Sequence, residues 1–184
     1  MPFPQTAAAL AAAMVLALAT VNAPYAAPRA AAAPCVRGES ETRGNSAVDE
    51  GEIRWTETSK YDSQRSHAIS EWNKLRKINI APDAVNTVND LEFRDYSKNN
   101  GTAAYYERHG GIAQTDYIYL NKYWLDGAYK NEPAFQKNIV LHELGHALGL
   151  CHKADTVDSV MRKAASPKTI PTAVDVANIR KIWG

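Results

Sequence analysis

The sequence predicts a small α/β domain of the α+β kind, a mixed twisted sheet followed by helices. Three observations predict it. Three short segments in the first two thirds alternate like strands or are rich in branched and aromatic residues, with one helical stretch among them. Beyond about residue 131 the apolar period becomes helical, and a second helical stretch closes the chain. At 184 residues, 45% hydrophobic and 22% charged, the chain is long enough for one domain with its own core.

Residues 6–33 are mostly Ala, with Leu10, Met14, Val15, Leu16 and Leu18 in the middle. This stretch is short for a membrane span and reads as a signal peptide, assigned to residues 1–27. The expected product is secreted and extracellular, with no stable membrane association once the signal is removed. An uncleaved anchor is the alternative, since Met1–Gln5 carries no Lys or Arg. Val21-Asn22-Ala23 suits cleavage except for the following Pro24, and Ala30-Ala31-Ala32 offers a later site, so the cut is left open. Residues 28–50 are Ala, Pro, Gly, Ser, Thr and charge without period, and read as a linker or short pro-segment. One domain is expected over 51–184.

Strands are expected at Glu52–Thr56, Asp90–Tyr96 and Thr115–Asn121. A helix is expected over about 62–77, with Ala68, Ile69, Trp72 and Leu75 on its apolar side and Arg65, Glu71, Lys74 and Arg76 as polar positions. Asn99-Asn100-Gly101 is a turn. The next helix runs from about Pro133 to Leu148, with Asn131 as its cap and Gly149 at its end. The last covers about 173–183, capped by Thr172, with Val176, Ile179, Ile182 and Trp183 inward. Cys35 and Cys151 are the two cysteines, and in a secreted chain an even count suggests a disulfide. The net charge of +1 leaves no basic footprint for nucleic acid.

The chemistry is concentrated in residues 142–152, His-Glu-Leu-Gly-His-Ala-Leu-Gly-Leu-Cys-His. His142 and His146 lie one turn apart on one side of a helix and can grip one ion. Neutral imidazole suits zinc, and a catalytic zinc takes three protein ligands with one position open. On a continuing helix His152 would lie about 9 Å beyond His146. The helix must therefore break, and Gly149 can take the positive φ that brings His152 back. Glu143 is placed to act as general base on a metal-bound water. A lone buried histidine is often only core, but three of the chain's five are here at fixed spacing. His67 and His109 read as surface or structural.

This stretch resembles the metzincin signature H-E-x-x-H-x-x-G-x-x-H, and Asp158-Ser159-Val160-Met161 resembles the Met-turn that follows it. The resemblance is to matrixin-type bacterial proteases, over roughly residues 51–184. It implies a metzincin-like zinc protease domain with an active-site helix, a Met-turn and a C-terminal helix. It implies that Met161 floors the zinc site and that Asp175 bonds the Met-turn backbone, beyond the helix-capping use an acid has there anyway. It implies that Gly111, Ile112 and Ala113, with the strand running to Asn121, form an edge that pairs with extended substrate. It also offers a second reading of Cys35, as a thiolate capping the zinc in a latent form. The sequence departs from the family at three places. Gln114 replaces a histidine of a second, structural zinc, Val174 replaces an Asp that can hold the mature N-terminus, and Arg162 replaces a common aromatic after the Met-turn. Substrate preference is therefore not carried over.

The expectation is a secreted, monomeric zinc endopeptidase with one catalytic zinc, acting on protein or peptide substrates. The alternatives are a zinc aminopeptidase, for which no amine-capturing feature is identifiable, and a non-catalytic zinc-binding surface module, which loss of the glutamate would signal. No EF-hand-type loop is present, so a calcium site is open but without support.

Overall fold

The computed structural model describes residues 30–111 and 114–184, so the signal-peptide assignment lies outside the described residues. Five strands form one sheet: β1 (Glu52–Glu57), β2 (Asn79–Pro82), β3 (Leu91–Tyr96), β4 (Ala104–Glu107) and β5 (Asp116–Asn121), in the order β2-β1-β3-β5-β4. The first four in that order run parallel, and β4 is antiparallel to β5. The three strands legible in the sequence are the interior ones. The two that were not, β2 and β4, are four-residue edges. β2 ends in Pro82, which an edge tolerates, and Ala104-Tyr105-Tyr106-Glu107 has no clean apolar alternation.

Helices cover one face of this sheet. α1 (Asp62–Asn73) packs against α3 (Pro133–Ala147), and the Trp72 indole N–H donates to the Leu141 carbonyl at 3.0 Å. Beneath them Ile53, Leu91, Phe93, Ile118 and Leu120 are fully buried. The other face carries Tyr105, Tyr119 and Tyr117 in a ladder, with Arg94 4.2 Å over the Tyr117 ring. That one-sided cover explains why mostly parallel strands still alternate, where parallel sheets covered on both faces read as continuous apolar runs.

The helices depart from expectation in three ways. α1 stops at Asn73 rather than 77, because Arg76 takes a positive φ of 53° and the Asn73 side chain bonds both backbone groups of Ile80. Arg65 and Glu71 are buried rather than solvated, Arg65 lying over Trp55 and pairing with Glu57. Asn131 does not cap α3; Glu132 holds that position without a side-chain bond, and Pro133 opens the first turn. α3 itself is buried on nearly every side from Asn138 to Ala147. A short helix, α2 (Lys122–Leu125), is capped by Asn121, and α4 (Ala173–Trp183) begins with a Thr172–Asp175 capping box.

Ordered structure begins well before Glu52. Residues 30–51 form a strap across the end of the domain, with a single 3₁₀ turn at Arg43–Asn45. Lack of period misleads here, because side chains and isolated backbone bonds, from Val36 to His152, Thr42 to Gly149 and Ala47 to Ala147, hold the segment rather than a regular ladder. Cys35 is bonded to Cys151, with Cα atoms 5.6 Å apart across 116 residues of chain. Lys153, fully buried, donates to the Glu41 carboxylate at 2.5 Å and to the Ala33 carbonyl at 2.9 Å. Asn178 of α4 donates to both Glu41 oxygens and to the Ala33 carbonyl, and accepts from the Ala33 N–H. Breaking a buried ion pair by removing one partner strands the other charge, at about 3–5 kcal/mol. Glu41→Ala is expected to lower the unfolding free energy by about that amount. Denaturant unfolding checks it, and a change below about 0.5 kcal/mol, the range of ordinary surface substitutions, would mean the strap is not part of the fold.

Candidate metal centre

α3 carries His142, Glu143 and His146. Its end is a complete Schellman turn: the Gly149 N–H bonds the His146 carbonyl at 2.8 Å and the Leu150 N–H bonds the Gly145 carbonyl at 3.0 Å. Gly149 has a φ of 87°, and a Cβ there would press on the Thr42 carbonyl of the strap. Glycine is thus required twice, for conformation and for space. The reversed chain carries His152 back to the other two histidines.

The three imidazoles share one pattern. His142 Nδ1 donates to the Val160 carbonyl at 2.9 Å, and His146 Nδ1 donates to the Leu150 carbonyl at 2.8 Å. His152 Nδ1 lies 3.0 Å from both Glu39 carboxylate oxygens. Each acceptor can only receive, which calls for a proton on each Nδ1 and leaves Nε2 of the neutral ring as a bare lone pair. Those lone pairs converge: His146 Nε2 is 3.1 Å from that of His142 and 3.2 Å from that of His152. Three acceptors facing one another with no donor among them suit a cation, and imidazole nitrogen suits zinc.

Glu143 opens into a cleft of about 650 Å³ shared with the histidines. Thr102–Tyr106 border one side, and Tyr129, Ile139 and Arg162–Ala165 border the other. Burial pushes the Glu143 carboxyl up to about 8, against the opposing pull of the Tyr106 backbone amide. Burial also drives His142 down to about 3, helped by the neighbouring His146, and His146 down to about 4.

The floor is built from both sides. Met161 is fully buried, and a Cβ on Gly145, between the two helical histidines, would collide with its Sδ. Asp175, also fully buried, accepts from the Val160 N–H at 3.0 Å, the Thr172 N–H at 2.8 Å and the Ser159 hydroxyl. Because the Val160 carbonyl in turn accepts the His142 proton, α4 reaches a candidate ligand through one residue. Asn138 accepts from the Ser166 N–H and donates to the Lys168 carbonyl, fixing the wall beyond Arg162.

Of the expected substrate edge only Gly111 is among the described residues. Gly111 lies in a bend past the end of β4, with a φ of 115°, and Ile112 and Ala113 lie outside the described residues. The antiparallel edge beside the cleft is Ala104–Glu107, whose outer side pairs with no strand among the described residues. The capping alternative for Cys35 also falls, because its sulfur is bonded to Cys151. Arg162 lines the cleft and donates to the Asp155 carbonyl. His67 bonds the Thr169 carbonyl and His109 packs on Tyr117, both apart from the cluster. Glu39, Tyr106 and Asn138 escaped the sequence reading. The first sits 113 residues from its partner, and no local pattern signals it.

A family model described as matrixin matches residues 30–184, beginning inside the strap. The chain is also 27% identical over 140 residues to metalloendoproteinase 1 of Glycine max, covering 67% of this chain and 46% of that protein. It therefore spans about half the length of that curated relative.

The displaced pKa values set a pH profile for the metal-free protein. His142 and His146 titrate below their ordinary 6.5, so as pH falls from 6.5 toward 4 the unfolded chain takes up protons first and stability drains. Glu143, raised from 4.5 to about 8, works oppositely: its contribution is full below 4.5 and is lost as pH rises toward 8. Two histidines outweigh one carboxyl below 6.5, and the carboxyl acts alone above it. Stability from this site is expected to peak near pH 6.5, read as the denaturant midpoint of chelator-treated protein between pH 4.5 and 8. A monotonic rise across that range would contradict it.

Proposed function

We propose that this chain, which belongs to the matrixin family, is a secreted zinc endopeptidase that hydrolyses internal peptide bonds. The observation that carries the reading is the convergence of three Nε2 lone pairs, each ring fixed by its Nδ1 bond, beside Glu143 in an open cleft. In this reading His142, His146 and His152 hold the metal, with Met161 beneath them. When bound, zinc would act as a Lewis acid on the scissile carbonyl, acidify a water, and draw the Glu143 carboxyl back toward its ionised form.

Glu143 is assigned as the general base that takes the proton of the attacking water and passes it to the leaving amine. Its burial favours both duties, since a carboxyl of raised pKa holds a proton well enough to deliver it. The free edge of β4 offers backbone groups for an extended peptide, which would lie along the cleft as an added strand. Among the described residues that line the cleft Glu143 is the one acid, which leaves no second carboxylate there to hold a substrate's free amine. The disulfide supports an oxidising, extracytoplasmic compartment.

Glu143→Ala is expected to retain one zinc per chain while casein hydrolysis falls by roughly 10²–10⁴-fold, the usual worth of a positioned base. Activity within a few-fold of the parent would remove Glu143 from this role. In the parent, a zinc chelator is expected to abolish cleavage. Mass spectrometry should show internal cuts, whereas stepwise loss from the amino end would favour an aminopeptidase.

A further inference from the structure

His152 differs from the other two histidines. It lies off the helix, on the returning chain, and its side chain keeps 27% of its surface exposed. Packing therefore constrains its ring least. Its Nδ1 partner is also of another kind: His142 and His146 donate to neutral carbonyls, His152 to a carboxylate. Glu39 takes the His152 backbone N–H as well, at 2.8 Å, so one side chain fixes both the ring and the peptide that carries it.

Glu39 is itself firmly placed. Gly38 before it has a φ of 90°, which turns the strap, and the Glu39 N–H donates to the Val36 carbonyl. The Val36 N–H donates to the His152 carbonyl at 3.0 Å, and Cys35 is bonded to Cys151 one residue before His152. Lys163 Nζ lies 3.5 Å from Oε1 of the same carboxylate. Strap and returning chain thus meet at three successive kinds of link: a disulfide, a backbone bond and a carboxylate–imidazole pair.

We propose that Glu39 is a positioning residue of the metal centre, an anionic partner that locks His152 with its proton on Nδ1 and strengthens Nε2 as a ligand. This makes the strap part of the metal site rather than a removable leader, and it rests on the reading of the three histidines as a zinc site. A carboxylate behind a ligating imidazole holds its tautomer and raises its basicity, and removing such a partner costs about 10–100-fold in metal affinity. Nothing in the strap's composition announces this, because the pairing exists only once the fold brings residue 39 to residue 152.

The test is zinc affinity of the purified full chain, measured with zinc alone against a competing chelator, for the parent, Glu39→Gln and Glu39→Asp. Glu39→Gln is expected to bind zinc about 10–100-fold more weakly, with Glu39→Asp between it and the parent. Proton NMR of the zinc-loaded parent should show a downfield, exchange-protected Nδ1–H on His152, moved upfield in Glu39→Gln. Equal zinc affinity in folded parent and Glu39→Gln would overturn the proposal. So would a His152 Nδ1–H in the parent that exchanges as freely as one open to solvent, a measurement that stands even if the variants fail to fold. A parent that binds no zinc at all would instead overturn the zinc reading itself.

Discussion

Gly149 reverses the chain at the end of α3 through a left-handed residue, and the geometry of the metal centre follows from that reversal. The turn folds Leu150 back so that its carbonyl takes the His146 proton. It delivers His152 to the same point that the helix delivers His142 and His146. The inner side of the turn is occupied by the Thr42 carbonyl, so the strap and the turn are shaped to one another. A single backbone torsion thereby couples a helix, a loop and a segment more than a hundred residues away.

Around that turn, each candidate ligand is oriented from a different part of the chain. His142 is held through Val160 by Asp175 of α4, His146 by the local reversal, and His152 by Glu39 of the strap. Buried acids in and around this frame carry a desolvation cost, and each offsets it with several donors: Asp175, behind Val160, with backbone and hydroxyl groups, and Glu41, which ties the strap, with Lys153 and Asn178. Such fully satisfied polar networks specify one arrangement where apolar packing would tolerate several. The Met161 side chain against Gly145 adds a steric limit from below.

The parts legible in the sequence are those whose information is local. Helical period and the four-residue spacing of His142 and His146 reveal α3, and the positive φ available to glycine predicts the break at Gly149. Strands β1, β3 and β5 show because one face is buried and the other is not. What stayed hidden depends on distant partners. The edge strand β4 has four residues and no alternation, so the substrate edge was assigned to residues past its end. Arg65 looked solvated because nothing nearby in sequence discloses Glu57 and Trp55 waiting beside it. The strap looked like a linker because the side chains and isolated backbone bonds that tie it find their partners in the last third of the chain.

The clasp between Asn178 and Ala33 has a consequence for how the chain is trimmed. Both backbone groups of Ala33 are engaged, the N–H by Asn178 and the carbonyl by Asn178 and Lys153. To carry a cut past Ala33, an aminopeptidase would first have to break this network. Resistance to trimming at this point is in that sense written into α4, 145 residues along the chain from the peptide it protects.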